Sequence, residues 1–127
     1  MSESAPDFIS DQPLIQQITE LALEKKAINP LVLDVRGLSS VADFFLICGG
    51  DSEPQVKAIA DTIRKGTDHK PRHLEGYENL NWVLLDYFDV VVHIFGKEER
   101  DFYNIEKLWA DAPRIDLIDE ATEATNQ

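Results

Sequence analysis

Four groups of residues in the chain have types and spacings that could do chemistry. Gly49-Gly50-Asp51-Ser52 stands between an apolar run and a helical pattern, where a phosphate-cradling turn would stand. Asp86 and Asp89 offer two carboxylates close together. His69, His73 and His93 offer imidazoles, and Cys48 a single thiol. Nucleotidyl transfer needs the phosphate turn together with paired carboxylates on one strand face to hold Mg²⁺. The second half of that set is missing. Side chains two apart share a strand face, whereas Asp86 and Asp89 are three apart, and no Asp-x-Asp occurs anywhere.

The other groups give less. Ser52 with Gln55 reads as a capping box, so the glycine turn is equally a strand-to-helix connection. His69 and His73 flank Pro71 in a polar stretch, and His93 is alone in an apolar run, as a hydrogen-bonded core histidine would be. No Cys/His cluster has metal-ligand spacing, so no metal and no cofactor is expected. Cys48 lies among apolar residues and reads as a small buried side chain.

The elements that must position these residues centre on Asn81 to Trp109. Trp82 to Leu85 and Val90 to Phe95 are two β-type runs separated by Asp86-Tyr87-Phe88-Asp89, which reads as a hairpin. The second run lacks polar alternation except at His93 and so reads as a central strand. Trp82, Leu84 and Asp86 share one face of the first run; Val83, Leu85 and Tyr87 share the other. One face can pack on a helix, and the other must find cover or a partner. A last helix reaching Leu108-Trp109 would carry Phe102, Ile105, Leu108 and Trp109 on a core stripe, with Tyr103 off it. Tyr103 is then a rim residue or a contact anchor, and Trp82 is core or anchor. Asp86 and Asp89 either complement a basic partner or cap the turn; Arg100 and Glu106 suit local ion pairs.

Upstream, Leu14 to Ala22 has helical spacing behind Asp11 as N-cap and Pro13 in the first turn, and Asn29-Pro30 should stop it. Strands follow at Leu31 to Arg36 and Phe44 to Cys48. A helix then runs from Ser52 toward Gly66, expected at C′. Arg72 to Glu75 suits a short edge strand. The result is an α/β domain over 11–112, a mixed β-sheet with helices packed on it, between a disordered arm (1–10) and an acidic disordered tail (113–127).

A chain of 127 residues, 43% hydrophobic and 28% charged, suits one globular domain. Its net charge of −12 disfavours contact with phosphate backbones, so nucleic acid is not expected as the main partner. The first ten residues lack an apolar core for a signal peptide, and no stretch is long enough to span a bilayer. A lone cysteine fits a reducing, cytoplasmic setting.

The ordered motifs Leu33-Asp34-Val35, Ala42-Asp43-Phe44-Phe45-Leu46-Ile47, Gly50-Asp51-Ser52, Trp82 to Phe95 and Arg100 to Trp109 resemble the Iojap-like family, whose bacterial members silence ribosomes. The likeness runs from about Leu14 to Trp109. Phe88 stands where that family usually has Gly, and Ile105 where it has Leu. The resemblance implies a nucleotidyltransferase-like topology, here without the catalytic carboxylates. It also implies a non-enzymatic regulator that binds ribosomal protein 14 of the large subunit, blocks joining of the small subunit, represses translation when nutrients are scarce and could aid large-subunit maturation. The partner surface it implies involves the hairpin and the following helix; on that surface, face and phase make Trp82 and Tyr103 the expected aromatic anchors, with Asp86 and Asp89 supplying charge toward a basic partner. The alternatives are a nucleotidyltransferase-like, nucleotide-binding enzyme, and a homodimeric adaptor using the same apolar face.

Overall fold

The computed structural model describes residues 10–117. Its elements run α1 (Pro13–Glu24), β1 (Ile28–Asp34), β2 (Phe44–Gly50), α2 (Glu53–Gly66), β3 (His73–Glu75), β4 (Trp82–Asp86), β5 (Val90–Gly96), α3 (Lys97–Tyr103), α4 (Ile105–Leu108) and β6 (Arg114–Asp116). One six-stranded mixed sheet holds them, in the order β3-β4-β5-β2-β1-β6. β5 lies at its centre, parallel to β2 and antiparallel to β4, as its unbroken apolar sequence predicts.

The period of two along each strand splits the core into two layers. Val83 and Leu85 of β4 join Leu46, Cys48, Val92 and Ile94 beneath α1 and α2, which supply Ile15, Ile18, Ile59 and Ile63. The opposite face carries Phe45, Ile47, Val91 and Phe95, with Trp82, Leu84 and Trp109 packed against them. Among the described residues, the short α3–α4 segment is the helical cover of that face.

Several local expectations are corrected. The N-cap of α1 is Gln12 rather than Asp11, and it makes no side-chain cap bond. The helix stops before Asn29-Pro30 because Lys26 turns left-handed (φ 58°), bonding its N–H to the Leu23 carbonyl. Asn29 and Pro30 are then absorbed into β1 at an irregularity in its pairing with β2. Gly66 is the last residue of α2, not a left-handed C′; the cap is Thr67, in extended conformation. A Cβ at Gly66 would come within 2.7 Å of Leu21 Cδ2, so the glycine instead lets α1 and α2 approach.

The single last helix is two. Asn104 adopts left-handed angles (φ 44°, ψ 55°) and resets the phase between α3 and α4. Ile105 is buried as expected, but Phe102 (80% exposed) and Leu108 (76%) leave the core stripe. The tail assigned to 113–127 also begins ordered: Arg114–Asp116 pairs antiparallel with β1 as an edge strand. The expected arm lies outside the described residues except for Ser10, as does the tail from 118 on.

Candidate functional site

The β4–β5 hairpin and α3 together build an aromatic surface. Trp82 opens β4 opposite Phe95, and their rings stack at 4.8 Å. α3 lays Tyr103 against Trp82, with ring centroids 4.8 Å apart. Phe102 meets Tyr103 edge-on at 5.0 Å and projects into solvent. Tyr103 itself is 45% exposed, between a core residue and a free one.

His93 holds this cluster from below. Its Nδ1 accepts the indole N–H of Trp82 at 3.1 Å, which puts the neutral ring's proton on Nε2. Burial lowers the His93 pKa from its ordinary 6.5 to about 4, so the ring stays neutral and keeps its acceptor. The expected core histidine is present, and its bond fixes how Trp82 lies.

Beside the rings is a cleft of about 580 Å³, lined among others by Asn81, Trp82, Glu98, Glu99, Phe102 and Tyr103. Gly76 forms part of its floor with φ 92°, where a Cβ would collide with the Trp82 carbonyl. Phe102, Glu98 and Glu99 are not legible in the sequence as site residues, because an unbroken helix turns Phe102 inward. The signal available was Asn104, a residue that tolerates left-handed angles.

The two aspartates fall elsewhere. Asp86 and Asp89 lie at the turn end of the hairpin, four or more residues from Trp82, so about 13 Å or more away along the strand. Asp86 Oδ1 accepts the Phe88 N–H at 2.8 Å, and Asp86 Oδ2 pairs with Arg72 at 3.3 Å. Asp86 is thus the turn cap that its alternative reading described. The Asp89 carbonyl accepts from Asp43 and Phe44, tying the turn to β2. Phe88 has φ 82°, left-handed like the Gly the resemblance places there, and Arg72 stacks 4.5 Å over its ring.

The glycine turn at 49–52 folds tightly onto α2, and its Asp51 N–H is taken by the Gln55 side chain. Ser52 Oγ accepts from Gln55 N at 3.2 Å, while Gln55 Oε1 accepts from Asp51 N rather than from Ser52 N. Gln55 also donates to the Lys25 and Lys26 carbonyls, so the cap ties α2 to the end of α1. A Cβ at Gly50 would lie 3.1 Å from Val56 N, which shows how closely the turn folds onto its own helix. Cys48 is buried, and desolvation pushes its thiol up to about 12, far from a nucleophile. Arg100 and Glu106 pair at 3.1 Å, and Arg100 also donates to the Ile28 and Asn29 carbonyls, locking α3 to β1. No group of three or more metal-ligating side chains occurs among the described residues, and no helix there is long and apolar enough to cross a membrane.

Comparisons with known proteins agree on one family. The model described as "Ribosomal silencing factor during starvation" matches residues 9–127. A ribosomal silencing factor of Halalkalibacterium halodurans is 48% identical over 112 residues, covering 86% of this chain and 96% of its own. A chloroplastic Iojap protein of Zea mays is 38% identical, covering 79% of this chain and 45% of its own. A crystal structure of a protein from Chromobacterium violaceum superposes with a TM-score of 0.75 at 33% identity, over 78% of this chain and 85% of that one.

Proposed function

This chain belongs to the family of ribosomal silencing factors, and from that premise we propose that it binds ribosomal protein 14 of the large subunit. Seated there, it blocks joining of the small subunit by occlusion and represses translation under nutrient limitation. A role in large-subunit maturation fits the same seat. The observation that carries this reading is the aromatic surface of Trp82, Phe102 and Tyr103 on the less covered face of the sheet. Solvent-facing aromatics clustered on a Trp82 ring that a buried hydrogen bond fixes have the make-up of an interface hot spot. The net charge of −12 favours a basic protein over RNA as the contact. Trp82 and Tyr103 are the anchors in this reading, and Asp86 and Asp89 add negative charge at the far edge of the hairpin. Occlusion requires no cofactor and no catalytic group.

The test is co-sedimentation with isolated large subunits, joined to a pull-down on purified ribosomal protein 14 and a subunit-joining assay. The expected result is stoichiometric binding to large subunits, capture by that protein alone, and suppressed joining. Binding to large subunits that lack ribosomal protein 14 would relocate the contact. Mg²⁺-dependent ATP or CTP binding at micromolar affinity, lost on Asp51→Ala, would favour the enzyme alternative instead.

A further inference from the structure

We infer that the cleft between β4 and α3 is a receptor for one cationic side chain, an arginine or lysine, presented by the basic protein partner. The inference rests on the reading above and names the chemistry of its central contact. Three rings border the space: Trp82 and Tyr103 tilted together at 4.8 Å, and Phe102 edge-on to Tyr103 at 5.0 Å. Glu98 and Glu99 border it too, and neither carboxylate enters an ion pair among the described residues. The adjoining cleft shares Glu98 and Glu99 and adds Asp51 and Glu53 against one lysine, Lys97. Aromatic faces attract a cation through their quadrupole, and nearby carboxylates supply its counter-charge.

The plainer account assigns the two glutamates to the first turn of α3, where they favour the helix dipole. That accounts for their charge. It leaves Phe102 80% exposed, its ring crossed edge-to-face with Tyr103. A guanidinium inserted between the rings and the glutamates would stack on the former and fork to the latter.

Two variants test the inference in the full chain. Glu98→Gln with Glu99→Gln removes the charge and keeps the shape; Phe102→Ala removes a wall that contributes little to the core. Both should keep the wild-type melting temperature, and each should weaken binding to isolated large subunits about tenfold. If wild type binds and both variants bind equally well, the cleft is not the receptor, although the silencing reading stands. If wild type itself fails to bind large subunits, that reading fails, and N-acetyl-arginine amide decides the cleft. In an NMR titration of the free protein, saturable shifts at the Trp82 indole N–H and the Glu98 and Glu99 amides, absent from the double variant, uphold it. Their absence overturns it.

Discussion

Tyr103 is where folding and binding are most easily told apart. Its ring packs on Trp82 and, at 6.2 Å, on Phe95, yet 45% of the residue is open to solvent. Tyr103→Ala should therefore cost about 1 kcal/mol of stability, the scale of an aromatic pair, and lower the melting temperature by about 5 °C. Binding should fall about thirtyfold, because a central interface aromatic is worth about 2 kcal/mol or more. Calorimetric melting and large-subunit titration on the same preparation check both; a variant that binds like wild type removes Tyr103 from the surface. His93 makes a second prediction. Its folded pKa of about 4 lies below its ordinary 6.5, so the unfolded chain binds more protons between those values. Stability from this residue is thus complete above pH 6.5 and drains as pH falls toward 4, by about 3 kcal/mol at most. Protonation would also turn Nδ1 into a donor and break its bond to Trp82. Denaturant midpoints at pH 7 and 4.5 should fall further for wild type than for His93→Gln, by on the order of 2 kcal/mol. Parallel curves for the two proteins would sink the idea.

At the scale of elements, the hairpin turn shows what a sequence pattern carries and what it does not. The two strands were legible from their β-branched and aromatic runs, and the central place of β5 from its lack of polar alternation. The left-handed Phe88 was foreshadowed only by the glycine that the family resemblance puts at its position. A left-handed non-glycine residue costs about 1–2 kcal/mol, offset here by Arg72 over the ring and by the chain entropy that a glycine would lose. Phe88→Gly should accordingly leave stability within about 1 kcal/mol of wild type, read as an unchanged urea midpoint and slope. A loss beyond about 2 kcal/mol would mean that the exposed ring is structural after all. The α3–α4 break was illegible for a related reason. Periodicity finds a helical stripe but not a single left-handed residue within it, so it places Phe102 and Leu108 in the core while both face solvent. Edge strand β6 escaped because its three residues, Arg114-Ile115-Asp116, have little β signal alone and gain their place from β1. Of the candidate site, spacing and the family resemblance together single out Trp82 and Tyr103, whose rings lie 4.8 Å apart. The cleft they share with Glu98 and Glu99 needed the break at Asn104.

For the molecule as a whole, the governing quantities are a charge of −12 and an asymmetric sheet. Among the described residues, one face is sealed beneath α1 and α2, while α3 and α4 lie over part of the other. A surface of this sign is repelled by phosphate, so its charge favours the proposed contact with a basic protein over one with RNA. The two modes of contact differ in their response to salt. A protein that neutralises six to ten phosphates releases as many condensed counterions and loses about three to five decades of affinity between about 50 and 200 mM salt. An acidic, aromatic surface on a basic protein displaces no such atmosphere, and only its rim charges are screened over a Debye length of about 10 Å. Affinity for isolated large subunits should therefore drop by less than about tenfold over the same range. Equilibrium titrations at four salt concentrations give the slope directly. A log–log slope steeper than about −3 would mean several phosphates in the contact, with RNA rather than a basic protein as the principal partner. A shallow slope that flattens further in the Glu98→Gln, Glu99→Gln variant would trace the remaining salt dependence to the cleft between β4 and α3.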